Sequence, residues 1–337
     1  MRSTLASTLP VALSAAGDAH DGLLADLNPV IEAALVALVE EAHAYTQDLH
    51  AANTKRAYRA DWADFSAWCG AHELAALPAA AATVALYLTD RAKGCKTSTL
   101  ARRLCSIAGA HKAAGQPSPT ADPAVRTLLA GVRRAKGTKQ ERKRPTVTHE
   151  VRAMADALPD TLRGRRDRAL LLLGFAGGFR RSELVALDVD DVEETSGGLV
   201  VTIRRSKTDQ EGEGRRVGIP YGGRHCPARA LHAWLAAAGI ADGALFRRFD
   251  RQGRLLPLRL SDKGVARLVQ RQARALGLDP TQYGGHSLRA GLATAAAAAG
   301  KSERAIMAQT GHKSADMVRR YIRDGELFRD NAADLGL

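Results

Sequence analysis

Apolar positions between residues 53 and 135 recur every three or four places. Tyr58, Trp62, Phe65 and Cys69 step by four, three and four, which lays them along one face of a helix and reads as core. Thr54 stands where an N-cap would be. Pro78 precedes a second helical stretch over about residues 81–92. A third follows Thr97 or Ser98; there Leu100, Leu104, Ile107 and Ala108 face inward, while Arg102, Arg103, His111 and Lys112 decorate the outside. A fourth runs over about residues 123–135. The pattern predicts a four-helix block. Ahead of it, residues 23–49 show helical spacing at Ile31, Leu35, Leu38 and Val39. Residues 1–20 are rich in Ser, Ala and Gly and read as disordered.

From residue 146 the pattern changes. Thr148 caps a helix that starts around Val151, and DRALLLLGFA (167–176) is apolar enough to be a buried helix, broken by Gly177-Gly178. LVVTIRR (199–205) and RVGIP (216–220) read as strands, with the polar SKTDQEGEGR between them as a hairpin. Residues 225–238 form a helix with Trp234 inward, Leu245-Phe246 leads to a loop, and Ser261 caps a helix over 262–276 that Gly277 ends. The last stretch, 283–321, predicts three short helices. Gly284-Gly285 break the chain, the Ala295–Ala299 run favours helix, Ser302 and Ser314 offer caps, and Gly300 and Gly311 are stops.

Charge divides the chain in the same way. The 337 residues carry a net charge of +13 and a pI near 10.0, which points to an acidic partner such as nucleic acid. Residues 1–50 hold one basic and seven acidic residues, leaving 48 basic and 29 acidic in the remainder. VRRAKGTKQERKRP (132–145) has seven basic residues and one acid, and its Gly and Pro deny it a continuous helix. It reads as a basic linker. The four cysteines are scattered without a C-x-x-C pair, which argues against zinc and fits a reducing compartment. No signal peptide and no membrane-length apolar run is found, so a soluble cytoplasmic protein is expected.

The candidate chemistry lies in the final stretch. His286 and Arg289 are three apart on the first turn of a helix, His312 follows the Gly311 stop, and Tyr321 comes nine residues later. A guanidinium is a planar fork suited to phosphate, imidazoles donate to oxygen or move protons, and a phenol can form a covalent intermediate. Together these groups can attack a phosphodiester without a metal.

H-x-x-R, then G-H, then Tyr in this order resembles the signature of the tyrosine recombinases, the lambda-integrase family. Upstream, G-F-R-R-S-E-L resembles the family's first box, T-G-L-R-x-S-E-L, which aligns Arg180 with the catalytic arginine and Glu183 with the acidic residue beside it. The hairpin lysine that enters the family's active site matches Lys207, in S-K-T. The resemblance covers about residues 50–337. It implies a mostly α chain with a small antiparallel β-sheet: an acidic extension (1–50), an all-α core-binding domain (51–136), a basic linker (137–145) and a mixed α+β catalytic domain with a C-terminal helix (146–337).

In that reading Arg180 and Arg289 neutralise the non-bridging oxygens, His312 donates to one of them, His286 relays the nucleophile's proton, Tyr321 attacks phosphorus, and Lys207 protonates the leaving 5′-oxygen. Glu183 supports the neighbouring groups. The family's 3′-phosphotyrosyl bond keeps the ester energy, so no cofactor, neither ATP nor metal, is required. The implied partners are double-stranded DNA and further copies of the chain, a dimer on one site and a tetramer at synapsis, with no membrane. Arg102 and Arg103 on the helical block and Arg142, Lys143 and Arg144 on the linker are the candidate DNA contacts, with the linker closing a clamp. Two alternatives share part of this equipment: a type IB topoisomerase or telomere resolvase, and a DNA-binding protein without catalysis. The full set of six argues against the last.

Overall fold

A computed structural model of the chain describes residues 52–137, 143–204 and 214–325. The chain forms two compact units, Met1–Gln140 and Glu141–Leu337. The extension (1–50), Arg142, Lys207 and the C-terminal segment 326–337 lie outside the described residues.

The first unit consists of α1 (Ala52–Ala71), α2 (Ala81–Ala92), α3 (Thr97–Ala113) and α4 (Pro123–Lys136). Its core is built from Phe65, Trp68, Cys69, Val84, Tyr87, Leu88, Leu100, Leu104, Ile107 and Val125. Two polar residues depart from the expected outward placement. His111 is fully buried: its Nε2 accepts from the Ala79 backbone N–H at 2.9 Å and its Nδ1 donates to the Ile107 carbonyl at 2.8 Å. A buried imidazole with both nitrogens satisfied costs little, so it serves to fix the chain entering α2. Arg103 is turned inward, with 14% of its side chain exposed, and bonds to Asp64 and to the Tyr87 hydroxyl. Burial tends to raise the Asp64 pKa, but hydrogen bonds from Tyr87, Arg103 and Arg91 outweigh it and hold the carboxyl below its usual range. Arg102 stays exposed on one edge while its fork grips the buried Asp61, at 2.7 and 3.0 Å. Arg102 and Arg103 therefore tie α3 to α1 and α2.

The second unit contains α5 (Thr148–Asp156), α6 (Leu162–Ala176), α7 (Arg181–Ala186), β1 (Val192–Thr195), β2 (Gly198–Ile203), β3 (Arg215–Pro220), α8 (Pro227–Ala238), β4 (Arg247–Phe249), β5 (Leu255–Arg259), α9 (Asp262–Ala275), α10 (Ser287–Ala298), α11 (Glu303–Thr310) and α12 (Ala315–Gly325). Helix α6 is the spine. Ala169 through Leu173 are all buried, and each such Leu contributes about 1.5–3 kcal/mol on leaving water. Trp234 of α8 packs in the same core and donates to the Leu245 carbonyl at 2.9 Å. β1, β2 and β3 form an antiparallel sheet, and Val201 and Val217 face each other in its buried layer.

The antiparallel pair β4–β5 occupies what reads in the sequence as a loop, and β1 is a further strand that the pattern does not predict. β1 and β4 are short and polar, and β5 is an unalternating Leu run broken by Pro257, so none carries a period-2 apolar signal. Pro257 in β5 is tolerated because that strand pairs on one side only.

The end of the linker is fastened to the opening of the final stretch. Arg144 N donates to the Gln282 carbonyl at 2.7 Å and Thr146 N to the Ser287 carbonyl at 3.0 Å. A Cβ at Gly291 would lie 1.8 Å from the Thr146 carbonyl oxygen, so α10 requires glycine there for the two backbones to meet. The Ala run of α10 has a similar purpose. Ala293 and Ala297 are buried together with Ile306 and Val318, and their small side chains let α12 approach closely.

Candidate active site

Five residues chosen from the sequence converge at the end of α6. Gly178, at φ +57°, turns the chain sharply enough to place Arg180 just before α7. Glu183, one turn later, accepts from the Arg180 backbone N–H at 2.9 Å and from its Nη1 at 2.5 Å. The carboxylate thus caps α7 and aims the guanidinium in one stroke.

Arg289, on the first turn of α10, is 4% exposed. Its Nη1 donates to the Gly178 carbonyl at 2.8 Å and to the Thr310 carbonyl, while its Nη2 is buried with no hydrogen-bond partner among the described residues. A buried donor left unsatisfied costs about 1–3 kcal/mol. Burial, then the Arg180 charge, pushes the Arg289 pKa down to about 10, with Glu183 opposing.

His312 follows Gly311, whose φ of +65° ends α11. Its ring lies 5.9 Å from that of Tyr321. Tyr321 comes three residues after the buried Val318 on the same face of α12 and packs in the patch that Val318 anchors. His286 occupies the position just before α10, one turn from Arg289, and is exposed.

One member of this cluster was not picked out in the sequence. Arg215, the first residue of β3, reaches Glu183 with Nη2 at 3.3 Å and the Gln309 carbonyl with Nη1 at 3.0 Å. Its Nε is buried without a hydrogen-bond partner among the described residues, and burial lowers its pKa against the pull of Glu183. The signal was present. Val217 and Ile219 point inward, so Arg215, two places before Val217, shares their side of the strand, and Arg216 takes the other. Three guanidiniums therefore surround one carboxylate. The excess positive charge, with two donor nitrogens unpaired, suits an anion with several acceptor oxygens.

Two of the three linker candidates, Lys143 and Arg144, are held by the protein. Arg144 pairs with Glu150 at 2.8 Å and stacks on Tyr283, and Lys143 hydrogen-bonds to the Thr281 carbonyl. Arg181, next to the aimed arginine, bonds to Asp262 at 3.1 Å with its stem against Gly285.

Comparison with known proteins follows the same outline. Residues 145–326 match the phage integrase family. An integrase/recombinase XerD homolog of Selenomonas ruminantium is 43% identical over 286 residues, spanning 83% of this chain and 84% of that protein. The Cre recombinase of Escherichia phage P1 is 26% identical over 281 residues, spanning 77% and 80%. Among solved structures, a XerH site-specific recombinase bound to a palindromic difH substrate shares the fold, with a TM-score of 0.59 at 19% identity over 76% of this chain and 72% of that one.

Proposed function

The chain belongs to the phage integrase family of tyrosine recombinases, and on that premise we propose that it cuts and rejoins DNA at specific sites through a covalent bond between Tyr321 and a 3′-phosphate. The observation that carries this reading is the gathering of Arg180, Arg215, Arg289, Glu183, His312 and Tyr321, from distant parts of the sequence, with Arg289 Nη2 and Arg215 Nε lacking an acceptor among the described residues.

Arg180 and Arg289 bind the non-bridging oxygens of the scissile phosphate and offset the charge that builds on them as phosphorus is attacked. Glu183 holds two of the guanidiniums at fixed spacing. Tyr321 displaces the 5′-oxygen, and Lys207 supplies the proton that oxygen needs. His286 lies at the exposed lip, where a DNA backbone can reach it. The ester energy is retained, so a second 5′-hydroxyl can reverse the step on another strand. A nicked duplex that traps the intermediate tests this directly: the chain should form a protein–DNA adduct that survives SDS.

The substrate is double-stranded DNA, bound by both units in the cell interior. Neutralising Arg142, Lys143 and Arg144 together should lower the slope of log K against log salt by up to about 3, or about 2 where Arg144 stays with Glu150. An unchanged slope in a salt titration would place the run in solvent.

Assembly into dimers and tetramers goes through the C-terminus. Segment 326–337 carries Leu327, Phe328 and Leu335 at helical spacing over a stretch too short for a helix stable by itself. Removing it should leave half-site binding intact and abolish cooperative filling of paired sites. Normal cooperativity in the truncated protein would refute this docking.

A further inference from the structure

At the C-terminus of a helix the last carbonyls have no N–H of their own helix to accept from, and the end of the helix favours positive charge. At the end of α11 three successive carbonyls each meet a guanidinium, and each guanidinium comes from a different part of the fold. Arg215 Nη1 on β3 donates to the Gln309 carbonyl at 3.0 Å, Arg289 Nη1 on α10 to the Thr310 carbonyl, and Arg180 Nη2 before α7 to the Gly311 carbonyl at 3.5 Å.

Arg215 differs from the other two. Its Nη2 donates to Glu183 Oε2 at 3.3 Å, so one fork spans from the buried carboxylate of α7 to the end of α11. Its Nε is buried against Gly311, where an added Cβ would stand 2.7 Å away. No ligand oxygen reaches that nitrogen while the turn is in place. Arg215 lends its charge to the anion site, but its donors are turned to the protein.

We propose that Arg215 is a positioning residue, a strut that holds the Gly311-His312 turn to Glu183 so that Arg180, Arg289 and His312 face one phosphate in fixed register. This rests on the reading of the cluster as the place where the phosphate is attacked. Glu183 aims Arg180 from one side, and the end of α11 carries His312 on the other. A planar fork with two donors at set spacing suits such a link, whereas an ammonium is a single point of attachment. The turn has a second tie that does not involve Glu183. Gln309 Nε2 donates to the Ala176 carbonyl at 2.8 Å and to the Gly218 carbonyl of β3 at 3.0 Å. Without Arg215 the end of α11 therefore stays attached to α6 and the sheet, and what is lost is its register with the carboxylate.

The test combines single-turnover cleavage of a nicked duplex, duplex affinity, and hydrogen exchange in the full chain without DNA. The exchange is read at the Gly311 amide, which donates to the Met307 carbonyl at 2.7 Å. Arg215→Met keeps the stem and removes the fork. It should cleave about 10- to 100-fold more slowly, the scale of a hydrogen bond to a charged group, with duplex affinity unchanged and with faster exchange at Gly311. Arg215→Lys keeps the charge and should stay slow, because one ammonium does not span both acceptors. In a Glu183→Gln background Arg215→Met should slow cleavage little further, since the strut has already lost its anchor. A wild-type rate or unchanged Gly311 exchange in Arg215→Met overturns the proposal, as does full recovery in Arg215→Lys, which would reduce the residue to a point charge. Effects of Arg215→Met and Glu183→Gln that multiply, or a loss of affinity as large as the loss of rate, overturn it too, by putting Arg215 on the phosphate itself. The exchange arm involves no DNA, so it can fail while Tyr321 still forms its adduct, and a wild-type chain that forms no adduct would refute the site while the strut stands.

Discussion

Tyr321→Phe should abolish the SDS-resistant protein–DNA adduct and leave DNA binding within about twofold of wild type, as expected for a surface or lightly packed change. The ring packs in the patch of Ala293, Ala297, Ile306 and Val318 and faces the His312 imidazole. Phenylalanine preserves those apolar contacts and removes only the oxygen that would bond to phosphorus. Among the described residues no other phenol is available to the cluster: Tyr283 is buried and donates its hydroxyl to Glu150 at 3.0 Å. The effect is therefore all or nothing on the covalent step, read by gel mobility after SDS denaturation. A persistent adduct in the Tyr321→Phe protein would refute the nucleophile assignment, and peptide mapping would then locate the residue responsible.

The second large effect concerns Lys207. A 5′-alkoxide leaves poorly near neutral pH, so Lys207→Ala should slow cleavage by ~10²–10⁴, the usual worth of general acid catalysis, with DNA affinity nearly unchanged. Lys207 lies outside the described residues, but the base of its hairpin does not. Ile203 pairs with Arg215, and Arg215 touches Glu183. Replacing the bridging 5′-oxygen by sulfur isolates the role, because a thiolate departs without a proton. On that substrate Lys207→Ala should cleave at close to the wild-type rate. Arg289→Ala should stay slow, because its part is on the non-bridging oxygens. If sulfur leaves the Lys207→Ala defect undiminished, Lys207 is not the acid.

The fold and the cluster were legible in the sequence to different depths. Local periodicity fixed the helices of the first unit, since α2 needs only an apolar face and a Pro to start it. It also fixed α10 and α11, where glycines and serines mark the ends. Pairs one turn apart were fixed too. Glu183 must meet Arg180, and Arg289 must share a turn with His286, because three residues of helix leave no other geometry.

What the sequence by itself could not determine is which distant group answers each polar side chain. His111 continues the stripe of Leu100, Leu104 and Ile107 and Arg103 flanks it, so helical phase turned both toward the core and only their polarity read as solvent. The packing of α3 on α1 and α2 alone brings Asp64, Tyr87 and the Ala79 N–H within reach of them. Arg215 joins the cluster only once β3 pairs with β2 and passes α11. Thr310 meets the His312 ring only through the turn at Gly311, which folds the ring back onto its hydroxyl. Hydrophobic period assigns a residue to a face, whereas a hydrogen bond needs an ångström-scale meeting of two atoms, and for groups separated by tens or hundreds of residues the tertiary structure alone supplies it.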